Sequence, residues 1–449
     1  MEVYLVVGTG KSGVAAANLL KGKGEKFYLY DGNENLNCDA FFEKNPSLKG
    51  TDIFLGSVPE EIKKEVTCAV LSPGVPTDSG FVKDLECFDI RLSGEVELAY
   101  ALGKGRVVAI TGTNGKTTTT ALTGLLMEQH YKDVRVVGNI GIPYTERVND
   151  STEESVFVAE ISSFQLETAD TFAPKVSAIL NITPDHLDRH HTMDNYIAAK
   201  ESVTKNQTKD DVCVLNYEDE VLRKFGEGLN CKVVYFSSAS KLPGGLDGYY
   251  YKEGSIYKMP DEKIIDVDEL NILGLHNYEN AMAAIAMAEA MGVSKDEIVS
   301  GLKAFHAVEH RIEYVCEKRG VRFYNDSKGT NPDAAIKGIE AMDRPTYLIG
   351  GGYDKNSTYD EWIESFQGKV KKLVLIGQTR EKIADCAKAH GFMDYCFAES
   401  LKEAMDICYK EAKSGEAILL SPACASWGMF DNYEQRGDMF KQFARAYEE

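Results

Sequence analysis

Twice in the first 120 residues a short apolar run gives way at once to a glycine turn and then to a helix. The first is "VYLVVGTGKSGVAAANLL" and the second, from Arg106, is "RVVAITGTNGKTTTTALTGLL". A strand that passes its chain through a tight turn into a helix is set up for a right-handed crossover to a parallel neighbour, and parallel strands are covered on both faces. The pattern therefore predicts an α/β fold of parallel sheets layered with helices. It recurs: "KFYLYDG", "VFVAEISSF", "VRFYNDSK", "PTYLIGGG", "KLVLIG" and "EAILLSPA" read as further strands. The stretch around "SSASKLPGGLDGYYYKEGS" reads as turns and hairpins.

A chain of 449 residues is too long for a single core. We place one boundary near Ser93 and a second near His306, after the helix-rich "LGLHNYENAMAAIAMAEAMGVSKDEIVSGLKAF". Hydrophobic residues make up 43% and charged residues 27%, a composition of ordinary soluble globular enzymes. Seventy acidic against fifty basic side chains give a formal charge of −20, which repels a phosphate backbone and argues against a nucleic-acid partner. Ten cysteines without a C-x-x-C pair read as reduced, mostly buried thiols of a cytoplasmic protein. No apolar run approaches the roughly 20 residues that span a bilayer, so no membrane insertion is expected. Nothing marks an obligate interface, and a monomer is the default.

The second junction almost spells the phosphate-binding pattern G-x-x-x-x-G-K-[ST], but the position five before Gly115 is Ile110. The loop is a shorter form, Gly112-Thr113-Asn114-Gly115-Lys116-Thr117, followed by Thr118 and a helix from about Lys116 to Gln129. Backbone N–H groups and a helix N-terminus there are disposed to hold phosphate oxygens, Lys116 reaches the outer phosphates, and the Thr117 hydroxyl suits magnesium. A nucleoside triphosphate is the expected ligand, in a central domain of P-loop NTPase type over residues 94–306. Glu160, at the end of "VFVAE", is a natural further ligand for the metal. Asp185, His186, Asp188, Arg189, His190 and His191 crowd into seven positions.

The first junction, Gly8-x-Gly10-x-x-Gly13 with Asp31 at the end of the next strand, fits a dinucleotide fingerprint. Its physical content is narrower: a helix N-terminus that takes a diphosphate, and a carboxylate that accepts from a nucleoside. NAD and a UDP-linked substrate both satisfy it, in a Rossmann-like domain over residues 1–93.

These segments, with "GNIG" at 138–141, "EISSFQLE" at 160–167, "NITPDHLDRH" at 181–190, "EHRIE" at 309–313, "NDSKGTNPDA" at 325–334 and "LSPACASWGMFDNYEQRG" at 420–437, resemble the Mur ligase family along essentially the whole chain. The resemblance implies three domains, the third Rossmann-like over 307–449, holding a UDP-sugar, ATP and an amino acid in turn. It implies an ATP-dependent amide ligase of peptidoglycan synthesis, with UDP-MurNAc-L-alanine and D-glutamate as the substrates best matched. The substrate carboxylate would take the γ-phosphoryl group, and the amine would then displace phosphate.

By the same resemblance Lys116, Glu160, His186, Lys200, Asp326 and Lys328 carry the chemistry. Thr117 and Glu160 hold one magnesium, His186 and Lys200 serve a second, and Lys200 is carbamylated by carbon dioxide. ATP contacts fall on Gly112, Thr113, Asn114, Gly115, Lys116, Thr117 and Thr118, and on Asn277, Asn280, Arg311, Asp326 and Lys328. The UDP-substrate matches Lys11, Ser12, Asp31 and the turn Ser72-Pro73-Gly74, with Asn139, Ser162 and Gln165 nearer the acyl end. D-glutamate matches His186, Thr330, Lys355, Ser426 and Tyr433. The acid of "GGYDKNS" directly precedes Lys355, where some relatives place it two residues earlier, and Tyr433 stands where many have phenylalanine. Because Lys116 and Asp326 fall in different domains yet act on one nucleotide, closure of the third domain is expected.

Three other readings stand against this one. Folylpolyglutamate synthase lacks a domain like residues 1–93, a sibling ligase would differ only in its acceptor pocket, and a non-catalytic nucleotide-gated protein would be expected to have lost one of Lys116, Glu160, His186, Lys200 or Asp326.

Overall fold

A computed structural model describes residues 2–306, 308–355 and 357–448, and for Asp188 the backbone alone. The chain divides into two compact units, Met1–Val267 with Glu279–Leu302, and Asp268–Tyr278 with Lys303–Glu449.

The first unit contains two sheets. Five parallel strands run in the order Ile53–Leu55, Lys26–Asp31, Val3–Val7, Cys68–Leu71 and Arg91–Gly94. A nine-stranded sheet follows, with Arg106–Thr111 between Val176–Ile179 and Val156–Glu160. Apart from Arg106, every residue of that interior strand is buried, and so is every residue of Val156–Glu160. Such full burial is what parallel strands under two helical layers require. The predicted helix from Lys116 is found as Lys116–Glu128.

Parallel pairing is not universal. Gly248–Lys252, Ser255–Lys258 and Glu262–Asp266 form antiparallel hairpins at one edge of the large sheet; the first strand and its turn fall in the stretch 237–255 read as turns and hairpins, and the rest continues beyond it. In the second unit a six-stranded sheet has Val321–Asn325, Ala417–Leu420, Thr346–Gly350 and Val370–Leu375 side by side in parallel, with Tyr395–Phe397 beyond. Its other edge, Glu313–Lys318, is antiparallel. The two-residue turn after Lys318, Arg319-Gly320, has both residues at positive φ and forces the chain straight back, which a helical crossover cannot do.

Within the first unit two buried acids fasten the layers. The side chain of Glu95 accepts from Thr145 N at 2.6 Å and Thr145 Oγ1 at 2.7 Å. Glu97 accepts from the backbone N–H of Asp170, Thr171 and Phe172. Burial raises the Glu95 carboxyl above its ordinary range. All ten cysteines are free thiols, five of them buried and Cys87 exposed. No helix of the described residues is long and apolar enough to cross a membrane.

Candidate active site

The phosphate loop is built where strand Arg106–Thr111, third from one edge of its nine-stranded sheet, ends at the carboxyl side where α/β folds bind ligands. Gly112 and Gly115 take φ of 143° and 83°, which side chains other than glycine avoid. A Cβ on Gly115 would lie 2.3 Å from Asn280 Oδ1. The neighbouring strand end braces the loop: Thr113 N donates to Asn181 O (3.0 Å) and Asn114 N to Asn181 Oδ1 (2.8 Å). Thr113 Oγ1 accepts from Thr183 N at 3.0 Å and lies 3.0 Å from the Tyr196 hydroxyl. Asn181, Thr183 and Tyr196 were not singled out from sequence; only the "NITPDHLDRH" run around the first two carried a signal.

Two lysines converge on one loop carbonyl. Lys116 Nζ and Lys200 Nζ each donate to Gly112 O at 2.8 Å, and Lys116 also donates to Thr113 O. Lys200 is 2% exposed, at the end of helix Met193–Glu201, with its ammonium over the Tyr196 ring. Burial first, and then the Lys116 charge, bring the Lys200 amine down to about 7. Thr117 and Thr118 are buried on the first helical turn, and Asn280 Oδ1 accepts from Thr119 Oγ1.

Glu160 is 2% exposed. Its Oε1 accepts from Asn139 Nδ2 at 2.8 Å, whereas Oε2 is buried without a hydrogen-bond partner. A buried carboxylate oxygen left unpaired is costly unless a cation meets it, so the donor set here fits a magnesium ion. His186 stands apart, at φ 52° on an exposed turn, with its ring edge-on to Phe164 and 3.4 Å from Asp185 Oδ2. Among the described residues no hydrogen bond joins it to Glu160 or Lys200. Arg189 and His190 are structural: Arg189 pairs with Glu167 at 2.6 Å, and His190 contacts Ser163 Oγ at 2.9 Å, where burial lowers its affinity for a proton. The side chain of Asp188 lies outside the described residues.

At the first glycine turn, Asp31 accepts from Thr9 N (3.0 Å), Thr9 Oγ1 and Asn33 N (2.9 Å). Burial pushes that carboxyl up, but these hydrogen bonds outweigh it and hold it below its usual value. A Cβ on Gly13 would collide with Gly8 O, and one on Gly8 would lie 2.8 Å from Ser72 Oγ, a buried hydroxyl without a partner. Pro73 and Gly74 continue that turn, Ser12 is the second residue of helix Lys11–Lys23, and Lys11 Nζ donates to Gly141 O. A cavity of about 560 Å³ lies beside Thr9, Gly10 and Lys11. Ser162 and Gln165 form a reciprocal capping box at the start of helix Ser163–Leu166.

In the second unit Asp326 follows strand Val321–Asn325. It is 6% exposed, accepts from Ser421 Oγ at 2.6 Å, and burial raises its carboxyl to about 7 despite the nearby Arg311 charge. Lys328 Nζ lies 5.1 Å from the centre of the Tyr433 ring, and Thr330 N donates to Lys328 O. Lys355 is exposed, 5.3 Å from the centre of the Trp427 ring, and Ser426 is buried next to it in sequence. Asn277 Nδ2 donates to Leu273 O. One side chain unforeseen from sequence ties this region together: Arg436, fully buried, donates from Nε to Ser327 Oγ (2.9 Å), from Nη2 to Ser327 O (2.8 Å) and from Nη1 to Cys424 O (3.2 Å).

Residues 110–288 match the Mur ligase middle domain and residues 310–424 the Mur ligase glutamate ligase domain. The chain is 55% identical to the UDP-N-acetylmuramoylalanine–D-glutamate ligase of Lachnoclostridium phytofermentans, covering 98% of this chain and 97% of that one. It is 53% identical to the ligase of the same name from Lachnospira eligens, covering 98% of each. Among solved structures, the fold is similar to that of a UDP-N-acetylmuramate–alanine ligase from Thermotoga maritima, with a TM-score of 0.62 and 19% identity over 99% of both chains. With such identity held from end to end, and both family domains in order, this chain belongs to the Mur ligase family.

Proposed function

We propose that this protein is the ATP-dependent ligase that joins D-glutamate to UDP-MurNAc-L-alanine in peptidoglycan synthesis, acting in the cytoplasm. The observation that carries the reading beyond the likeness is the pair of lysines on the Gly112 carbonyl together with a buried Glu160 oxygen without a partner at the end of the adjacent strand. Residues 1–93 take the UDP-substrate, 94–306 the ATP and 307–449 the amino acid.

A carboxylate becomes an acyl donor only when its oxygen is made a leaving group. The terminal carboxylate oxygen of UDP-MurNAc-L-alanine attacks the γ-phosphorus of ATP, and the bond to the ADP oxygen breaks. The D-glutamate nitrogen then attacks the acyl carbon, the C–O bond breaks, and inorganic phosphate leaves as the amine gives up a proton. Two anions meet in the first step, so the site must supply positive charge. Lys116 reaches the transferred group from the loop, and Asp326, Lys328 and Arg311 hold the nucleotide. Magnesium, when bound, neutralises phosphoryl charge; Thr117 and Glu160 would hold one ion, and His186 with a carbamylated Lys200 a second. The buried, readily deprotonated Lys200 amine is chemically suited to add carbon dioxide, which replaces one of two crowded cations by an anion.

Asp31, Lys11 and the Ser72-Pro73-Gly74 turn take the UDP end, with Asn139, Ser162 and Gln165 toward the acyl group. Thr330, Lys355, Ser426 and Tyr433 receive the two carboxylates of D-glutamate. The test is phosphate release from ATP with UDP-MurNAc-L-alanine, comparing D-glutamate, L-glutamate, L-alanine and meso-diaminopimelate. Release that needs both the UDP-substrate and D-glutamate supports the reading. Release with another acceptor moves the pocket assignment, and none at all overturns the ligase.

A further inference from the structure

Among the described residues, metal-ligating side chains gather in two places outside the proposed site. At Glu309, His310 and Asp438 the positive charge is already supplied: the Lys441 ammonium bonds Glu309 and lies 3.1 Å from Asp438 Oδ1. At Asp360, Cys386 and His390 it is not. Among the described residues no lysine or arginine pairs with Asp360 or with its neighbour Glu364; both carboxylates face the imidazole of His390, and Asp360 also meets the Cys386 thiol.

Helix geometry explains the gathering. Asp360 and Glu364 are the first and last residues of helix Asp360–Glu364, and Cys386 and His390 are spaced likewise along and just beyond helix Arg380–Ala389. Side chains four apart share a helix face, so each helix presents a pair of ligating groups to the other. His390 Nε2 is 3.0 Å from Asp360 Oδ1, and its Nδ1 is 3.4 Å from Glu364 Oε1. One ligand atom each from Asp360, Cys386 and His390 lies within 4.8 Å of the others. Around a tetrahedral zinc, with bonds of about 2.0–2.3 Å, ligand atoms stand roughly 3.3–3.8 Å apart, so small side-chain rotations bring the three onto one ion.

The geometry points to a binding site for a divalent transition metal of the zinc class, ligated by Asp360, Cys386 and His390, with Glu364 orienting the imidazole from behind. A thiolate and an imidazole select zinc or cobalt over magnesium, which sets this site apart from an all-oxygen one at the phosphate loop. The carboxylate on the far ring nitrogen is the arrangement that fixes the tautomer of a ligating histidine. Three protein ligands leave a fourth position for water, as the exposure of Asp360 permits. On binding, the Cys386 sulfur exchanges its proton for the metal; the proton goes to solvent and no electron is transferred. The ion would pin helix Asp360–Glu364 to helix Arg380–Ala389, whose Lys382 already bonds Asp354 beside Lys355.

The test uses the full-length protein, stripped with a chelator and held in excess magnesium, titrated with Co²⁺. One Co²⁺ per chain should bind with an intense thiolate-to-cobalt charge-transfer band, release of about one proton, and displacement by Zn²⁺. Cys386→Ser and, independently, His390→Ala should abolish the band while circular dichroism stays native. Glu364→Gln should keep the band and weaken binding about 10- to 100-fold. A missing band in the unaltered protein, or a full band in Cys386→Ser, overturns the site; unchanged affinity in Glu364→Gln overturns the orienting role.

Discussion

Lys200 and Asp326 both owe their altered proton affinity first to burial, and the shifts run in opposite directions because one group is charged with its proton and the other without. For Lys200 the proposal predicts that Lys200→Ala loses most ligase activity and that short carboxylic acids added to the assay partly restore it. Full activity in the unrescued variant would remove the carbamate. For Asp326 the sign follows from linkage. Its carboxyl keeps a proton up to about 7 in the folded unit, against 3.8 when exposed. The folded state therefore binds more protons between those values, and stability falls as pH rises through that window, by at most about 1.4 kcal/mol per pH unit. Urea unfolding at about pH 5 and about pH 8 should show this loss in the natural protein and much less of it in Asp326→Asn. An identical pH response in the two proteins would contradict it.

At the scale of elements, what could be read from sequence was what is local. The strand Arg106–Thr111, its glycine loop and the helix behind it occupy consecutive residues, and their bounds agree with the structure to within a residue. The antiparallel edge Glu313–Lys318 was missed because a tight turn at Arg319-Gly320, not a periodic pattern, reverses the chain. Lys200 looks like any helix lysine until a carbonyl 88 positions away is brought to it, and Arg436 meets Ser327 across 109 positions. Spacing cannot report such partners; the likeness to a known family pointed to Lys200 and passed over Arg436. The glycines separate fold from ligand. Gly115→Ala combines a positive φ with a contact on Asn280 and should cost about 1–3 kcal/mol of stability together with nucleotide binding. Around Gly10 the space is open. Gly10→Ala should therefore fold normally and weaken only the UDP-substrate, as separate affinity measurements for the two ligands would reveal.

At the scale of the molecule, the two tryptophans of the chain, Trp362 and Trp427, both lie in the second unit, one buried and one more than half exposed. Tryptophan fluorescence thus reports that unit alone. Arg436→Met, which strips three hydrogen bonds from Ser327 and Cys424, should lower the fluorescence-detected urea midpoint, with a loss of about 3 kcal/mol. Gly115→Ala should leave that midpoint in place while lowering the helical signal from the first unit. A shift of both signals in both variants would mean that the units unfold as one.

Neither unit is a continuous stretch of chain. Residues 268–278 belong with 303–449, and 279–302 with 1–267, so the division between units falls inside the single helix Leu275–Ala290. On the ribosome, the first part of that helix emerges long before the sheet it joins. At about 5–20 residues per second it waits roughly ten to thirty seconds for the remainder of its unit, with its apolar side chains open to chaperones and to neighbouring nascent chains. Synthesis order, not only sequence, thus sets when this protein is most exposed to misassembly.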